Sequence, residues 1–250
     1  MLRLLIRPGA IGDFIVSLPA LEALRADSTE VWCAEQNVPL ARFADAAQSI
    51  VSSGLDRLGL LPAPDVVSQL RRFDSIISWY GANRPEFRAL VADRRLPFEF
   101  LPALPTGSRH AVDYYNDQAR KLGAQPASRF PKIDTPSAAR TFAVIHPFAS
   151  STAKRAPMPL FESAAARLAE SMPVHWLCGP EESLPGATRI DNLFDLACWL
   201  RQARIYVGND SGISHLAAAV GTPVQAFFRT TEPRIWSPRG PSISAFRSPA

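Results

Sequence analysis

Residues 205–228 read IYVGNDSGISHLAAAVGTPVQAFF. An apolar run at 205–207 enters the polar turn Gly208-Asn209-Asp210-Ser211-Gly212, and a second apolar segment at 213–220 leaves it and stops at Gly221-Thr222-Pro223, before another short apolar run. The order predicts strand, turn, helix, strand. Glycines in such a turn let the backbone approach a ligand, and the unpaired N–H groups of the helix start, with the positive end of its dipole, make an anion site. Ser211, Ser214 and His215 add donors on the first helical turn, and Asp210 stands where a capping carboxylate stands. Asn-Asp-Ser-Gly is also a good way to begin any helix. Alone, the stretch therefore fits either a phosphate-facing turn or a plain capped helix, in both cases within an α/β domain. Small side chains at Ala217, Ala218 and Ala219 let that helix lie close on a sheet.

The same pattern opens the chain. An apolar run at 2–6 leads into Arg7-Pro8-Gly9-Ala10-Ile11-Gly12-Asp13, and a helix-like segment from Phe14 to Leu24 follows, in which Pro19 predicts a kink or a new first turn. Gly9 and Gly12 are spaced G-x-x-G. The dinucleotide fingerprint G-x-G-x-x-G is absent, which removes the main support for a nicotinamide cofactor. Asp13 has two readings. It caps the helix, or it presents a carboxylate at the carboxyl edge of the first strand, where open α/β sheets place ligands and where it could accept a proton.

Between these stretches the chain alternates. Strands are predicted at 30–33, 49–52, 74–79 and 96–101, and helices at 38–47, 64–72, 85–92 and 110–122, with His110 a surface or capping residue. Strands separated by helices of about ten residues mean βαβ units and a mostly parallel sheet. Residues 123–139, with prolines at 126, 131 and 136, form the best linker. Beyond it come a strand at 142–146, a helix at 159–171, a strand at 173–178 and a helix at 193–202. Two α/β domains, 1–130 and 131–250, are the simplest arrangement. In the second, the loop after His146 carries Ser151, Thr152, Lys154 and Arg155: the rotatable donors and fixed charge a diphosphate requires, or the composition of a solvated loop. Glu181, just beyond a strand end, either bonds ribose hydroxyls or begins a helix.

Composition narrows the class. The chain has 250 residues, 47% hydrophobic and 20% charged, as a soluble globular protein has. Pro, Gly or charge breaks every apolar run well before the roughly 18 residues of a membrane span. The first residues lack the length of a signal peptide's apolar region, so a cytoplasmic location is expected. Cys33, Cys178 and Cys198 are odd in number and lack metal-ligand spacing, which predicts buried thiols in a reducing compartment. A net charge of +4 is spread along the chain; Lys121, Lys132 and Lys154 are the lysines among 27 basic residues. No basic tract argues for nucleic acid.

Three stretches together resemble glycosyltransferase family 9, the heptosyltransferase-type enzymes of GT-B architecture: RPGAIGDFIVSLPALEALR at 7–25, HPFASSTAKRAPMPLF at 146–161 and VGNDSGISHLAAAVGTPVQAFF at 207–228. The resemblance implies two Rossmann-like domains with parallel sheets facing across a cleft, here in a compact version with a shortened C-terminus. It implies that the N-terminal domain binds a glycan or lipid-linked acceptor, such as a lipopolysaccharide core, and the C-terminal domain a nucleotide-sugar such as ADP-heptose. Asp13 matches the family's general base, Lys154 the basic residue near the donor phosphates and Asp210 the acidic residue of the donor site. Ser211, Gly212 and Ser214 fall in the phosphate-facing turn. No D-x-D triplet occurs and the four histidines are scattered, so no metal or other cofactor is expected. The chain is expected to act as a monomer that inverts the anomeric centre, needs domain closure, and touches the inner membrane peripherally if its acceptor is lipid-linked. The competing readings are a GT-B protein that binds nucleotide-sugar without transfer, and another enzyme on the same shell, such as a nucleotide-sugar epimerase.

Overall fold

The computed structural model describes residues 1–59 and 64–248. The first half runs β1 (Leu2–Arg7), α1 (Ile11–Ala23), β2 (Ser28–Cys33), β3 (Ala46–Ser49), α2 (Pro64–Leu70), β4 (Ser75–Ser78), α3 (Pro85–Asp93), β5 (Phe98–Phe100) and α4 (Ala111–Lys121). The second runs β6 (Phe142–His146), α5 (Met158–Ala169), β7 (Val174–Trp176), α6 (Leu193–Leu200), β8 (Ala203–Asn209), α7 (Gly212–Ala219), β9 (Val224–Phe228), α8 (Pro233–Trp236) and β10 (Ile243–Arg247). Each half has its own five-stranded sheet, in the orders β3-β2-β1-β4-β5 and β10-β9-β8-β6-β7. The pairings of both are parallel. A parallel sheet is covered on both faces, and the central strands show it: β6 is buried along its whole length.

The strand orders fix where a ligand can sit. Chain direction across the sheet reverses between β1 and β4 in one half and between β6 and β8 in the other. At such switch points the connections diverge to opposite faces and leave a crevice beyond the carboxyl ends of the strands. Arg7, His146 and Asn209 end β1, β6 and β8 there.

The helices that leave these strand ends, α1 and α7, meet each other. A Cβ on Gly212 would stand 2.6 Å from Ile11 Cβ and 3.0 Å from Gly12 N, and one on Gly12 would stand 3.3 Å from His215 Cδ2. Glycine at both positions is what allows the two first turns to abut. One apolar core then runs across the halves, from Leu18 and Leu21 of α1 through Tyr115 of α4 to Ala217 and Ala218 of α7. A polar contact ties the halves further, Arg239 holding Asp113 through both carboxylate oxygens at 2.7 and 2.6 Å, and the connector docks on α7, the Ile133 amide donating to Ala219 O at 3.0 Å. His110 caps α4 with Nδ1 accepting from the Val112 amide at 3.2 Å, while Nε2 lies 3.0 Å from Ser237 O.

Some local expectations change. The helix expected over 38–47 is instead a 3-10 segment, Glu35–Leu40, followed by β3. Pro39 inside it offers no N–H, and the Asn37 side chain donates to Gly9 O instead of facing solvent. The strand expected at 49–52 ends at Ser49, whose hydroxyl accepts from the Ser52 amide at 2.9 Å and starts a turn. α1 runs through Pro19 without interruption. An interior proline costs about 3 kcal/mol, but eight consecutive buried residues, Phe14 to Leu21, offset it at roughly 1.5 to 3 kcal/mol for each large apolar side chain. β10 lies outside the sequence reading altogether.

Cys33 and Cys178 are buried, as expected, and burial pushes the Cys33 thiol up to about 12; Cys198 is partly exposed. No helix among the described residues is long and apolar enough to cross a membrane.

Candidate active site

A cavity of about 290 Å³ opens where α1 and α7 begin. Its wall from the first half holds Ala10, Gly12, Asp13 and Leu104, and its wall from the second holds Ser150, Lys154, Asp210, Ser211, Gly212, His215, Thr231 and Trp236.

Asp13 occupies the third position of α1, and the Ala10 amide donates to its Oδ2 at 3.1 Å. One oxygen thus serves the helix start, and Oδ1 has no hydrogen-bond partner among the described residues. The two sequence readings of Asp13 are therefore compatible: one residue caps the helix and lines the cavity. Gly9 makes the conformation possible. Its φ is +112°, and a Cβ there would lie 2.9 Å from Asp13 Cβ. Beneath this turn lies Arg7, 1% exposed. Its guanidinium donates to Asp13 O and the Tyr115 hydroxyl, each at 2.9 Å, and to Ser17 Oγ at 3.1 Å, and it packs 4.7 Å from the centre of the Tyr115 ring. A buried cation is costly unless every donor is used; here the Gly9–Asp13 turn supplies part of that satisfaction and is held by it.

On the facing wall Lys154 Nζ donates to Asp210 Oδ2 at 2.8 Å, and the Thr231 hydroxyl donates to the same oxygen. Asp210 is 5% exposed and Lys154 reaches it from the short 3-10 turn Thr152–Lys154. Asn209 braces the floor: its Oδ1 accepts from the Ala156 amide and its Nδ2 donates to Pro147 O, each at 2.8 Å. This ties the Lys154 loop to the end of β8. Ser211 is the residue before α7. The Gly212 and Ile213 amides, at the positive end of that helix, donate to no acceptor among the described residues.

Not every expected residue reaches the cavity. Ser151 and Thr152 are exposed on the loop, and Ser150 lines the wall in their place. The Arg155 guanidinium turns back to Ala149 O at 3.1 Å and packs on the Phe148 ring. Ser214 is buried beneath the turn, its hydroxyl on Asn209 O. Glu181 is exposed, and its neighbour Glu182 points inward, with Oε2 3.0 Å from His146 Nε2 and accepting from the Gly179 amide at 2.6 Å. Burial acts to raise the Glu182 carboxyl, but those hydrogen bonds and the charge of Arg155 hold it below the ordinary carboxylate value. Ser150 lies in the hydroxyl-rich loop the sequence marked, whereas Leu104 and Thr231, from loops, and Trp236, which ends the short α8, carried no sequence signal.

His215 is 5% exposed, and burial pushes its pKa down to about 4 from 6.5 against the pull of Asp210 and Asp13. The fold thus accepts the neutral ring. Between pH 6.5 and 4 the unfolded chain binds a proton at this residue that the folded chain refuses, so stability is intact above 6.5 and falls as pH drops toward 4. One such histidine accounts for a loss of about 3 kcal/mol. Half-buried His110, its pKa lowered to about 4 by burial and Arg239, adds in the same direction, whereas Asp113, held far below its usual range by Arg239, contributes only at lower pH. Denaturant midpoints at pH 7 and pH 4.5 should therefore differ less in His215→Gln than in the unsubstituted chain. An equal pH slope in the two would show that His215 is not held neutral.

Two five-stranded parallel sheets, each opening at its switch point on the crevice between the halves, define an α/β protein of GT-B architecture. The family model for glycosyltransferase family 9 (heptosyltransferase) matches residues 76–250, and the chain belongs to that family. No curated protein sequence matches it. Among solved structures it is similar to a family 9 glycosyltransferase from Veillonella parvula, with 16% identity, 99% of this chain and 86% of that one covered, and a TM-score of 0.78. It is also similar to the E. coli heptosyltransferase WaaC with ADP (17% identity, 100% and 94% covered, TM-score 0.70) and to E. coli ADP-heptose LPS heptosyltransferase II (18%, 98% and 90%, 0.71). These likenesses establish the shared fold.

Proposed function

We propose that the chain transfers a heptose or related sugar from a nucleoside-diphosphate donor, ADP-linked by analogy with the ADP complex of WaaC, to a glycan acceptor such as a lipopolysaccharide core. The observation that carries this reading is the placement of Asp13 and the Lys154–Asp210 pair on opposite walls of one cavity at the sheet switch points. In a single displacement the acceptor hydroxyl must lose a proton as the sugar carbon becomes oxocarbenium-like. The free oxygen of Asp13 takes that proton. As the bond to the leaving diphosphate breaks, negative charge grows on its oxygen, and Lys154 with the Gly212 and Ile213 amides stabilises it. Attack and departure occur on opposite faces, so the anomeric centre inverts, and the fixed positive groups do the work that a metal does elsewhere. Domains 1–130 and 131–250 would then carry acceptor and donor respectively.

Thermal shift with ADP-, GDP- and UDP-sugars tests the donor. A ligand at about 100 times its dissociation constant adds roughly 2.7 kcal/mol, which raises Tm by about 5 to 10 °C in a protein of this size. The ADP-sugar should give the largest rise. A flat response to all three would remove the donor assignment.

A further inference from the structure

Under the phosphate-facing turn runs a line of polar groups that the transfer chemistry leaves unused. His146 Nε2 lies 3.0 Å from Glu182 Oε2, and His146 Nδ1 lies 3.1 Å from the Tyr206 hydroxyl. Ser214 Oγ is 3.4 Å from that hydroxyl and 3.4 Å from Ser211 Oγ, which borders the cavity. His146 is 2% exposed, and Tyr206 and Ser214 are fully buried.

The proton positions follow from the chemistry of each group. Glu182, held ionised, only accepts, so Nε2 of His146 carries the proton. Nδ1 then accepts from Tyr206, whose hydroxyl burial keeps protonated. Ser214 shares its hydrogen between the Tyr206 oxygen and the closer Asn209 carbonyl. The backbone makes room for this line. His146 and Gly208 are register partners at the ends of β6 and β8, and a Cβ on Gly208 would stand 2.5 Å from the Tyr206 hydroxyl. Glycine at 208 therefore serves the Tyr206 ring as well as the turn.

We propose that His146 and Tyr206 are positioning residues for the nucleoside diphosphate, a buried strut that keeps Glu182 and the Ser211–Ser214 turn at one fixed separation on either side of β6. The proposal rests on the donor reading above. Glu182 approaches from the loop after β7 and the turn from the start of α7. Beside the backbone ladder of β7, β6 and β8, the line through His146 and Tyr206 is the side-chain link between them among the described residues. The short links of His146 to Glu182 and Tyr206, with Ser214 packed on the Tyr206 hydroxyl, hold the two ends, and a site held rigid before binding loses less on ordering.

Calorimetric titration of the full chain with ADP tests this. Tyr206→Phe removes one oxygen and keeps the ring; it should weaken ADP on the order of tenfold while the protein still melts cooperatively. Glu182→Gln should weaken ADP in the unsubstituted background and add little on top of Tyr206→Phe, because the link between the two ends is already cut. A purely structural role moves the melting temperature and leaves the two effects on ADP additive. Tyr206→Phe binding ADP within about twofold of the unsubstituted protein, or strict additivity, overturns the proposal while the donor reading stands. Absence of nucleoside diphosphate binding in the unsubstituted chain removes both. Should Tyr206→Phe fail to fold, the ¹⁵N shifts of His146 in the unsubstituted protein decide. They should report an Nε2–H tautomer and move on saturation with ADP, and ring signals indifferent to ADP overturn the strut.

Discussion

Asp13→Asn is expected to lower turnover by about 10²- to 10⁴-fold and to leave ADP affinity nearly unchanged. Asparagine has the size of aspartate and keeps an oxygen to accept the Ala10 amide, so the helix start survives. What it cannot do is take a proton from an acceptor hydroxyl. Asp13→Ala should lose the same turnover and, in addition, about 1 kcal/mol of stability with the cap. The pair of variants therefore separates the two duties of this residue. Turnover retained in Asp13→Asn would remove the base assignment, whereas ADP binding with no transfer by the unsubstituted chain on any acceptor would favour a binding protein without catalysis.

Lys154→Ala is expected to cost about 10²- to 10³-fold in turnover and also to weaken ADP. The ammonium lies 2.8 Å from Asp210, a carboxylate 5% exposed. On the proposed reading, removing it takes away the positive partner of the leaving diphosphate and leaves a buried negative charge facing it. Breaking a buried pair from one side costs about 3 to 5 kcal/mol when the remaining charge has no other partner; the Thr231 hydroxyl on the same oxygen reduces that figure here. Adding Asp210→Asn to Lys154→Ala should restore stability and part of the ADP affinity, but not full turnover, since a neutral amide does not replace the full positive charge of the ammonium. Steady-state kinetics and chemical denaturation on the three variants measure this. Equal turnover in Lys154→Ala and the unsubstituted chain would place the leaving group elsewhere.

The parts of this arrangement that are local in sequence were legible there. Gly9, Gly12 and Gly212 mark close approaches of backbone that any larger residue would prevent, and apolar runs ending in those glycines gave the central strands and the helices α1 and α7. The alternation of strands and helices gave the two parallel sheets. That Asp13, Lys154 and Asp210 line one cavity follows from the segments after β1, β6 and β8, which the sequence marks. What the sequence hid is long-range. Arg7 reads as an ordinary charge after an apolar run, and only the Tyr115 hydroxyl, 108 residues away, makes it a buried prop for the Asp13 turn. Tyr206 reads as one more apolar strand residue, although its hydroxyl reaches past Gly208 to His146. The choice of Glu182 over Glu181 turns on a single step of backbone direction that neither residue's type encodes. The serine-proline-glycine turn before β10 carried punctuation and no periodicity, so the fifth strand of the second sheet had no signal of its own.

The decisive measurement is an experimental structure with ADP bound. The β-phosphate should lie on the Gly212 and Ile213 amides, with Lys154 shared between phosphate and Asp210 and the free oxygen of Asp13 facing the vacant sugar position across the same 290 Å³ cavity. ADP found instead in the larger cavity of about 840 Å³, among Phe130, Arg140 and Arg201 at the far ends of α1 and α7, would contradict the assignment of acid and cradle to opposite walls of one site.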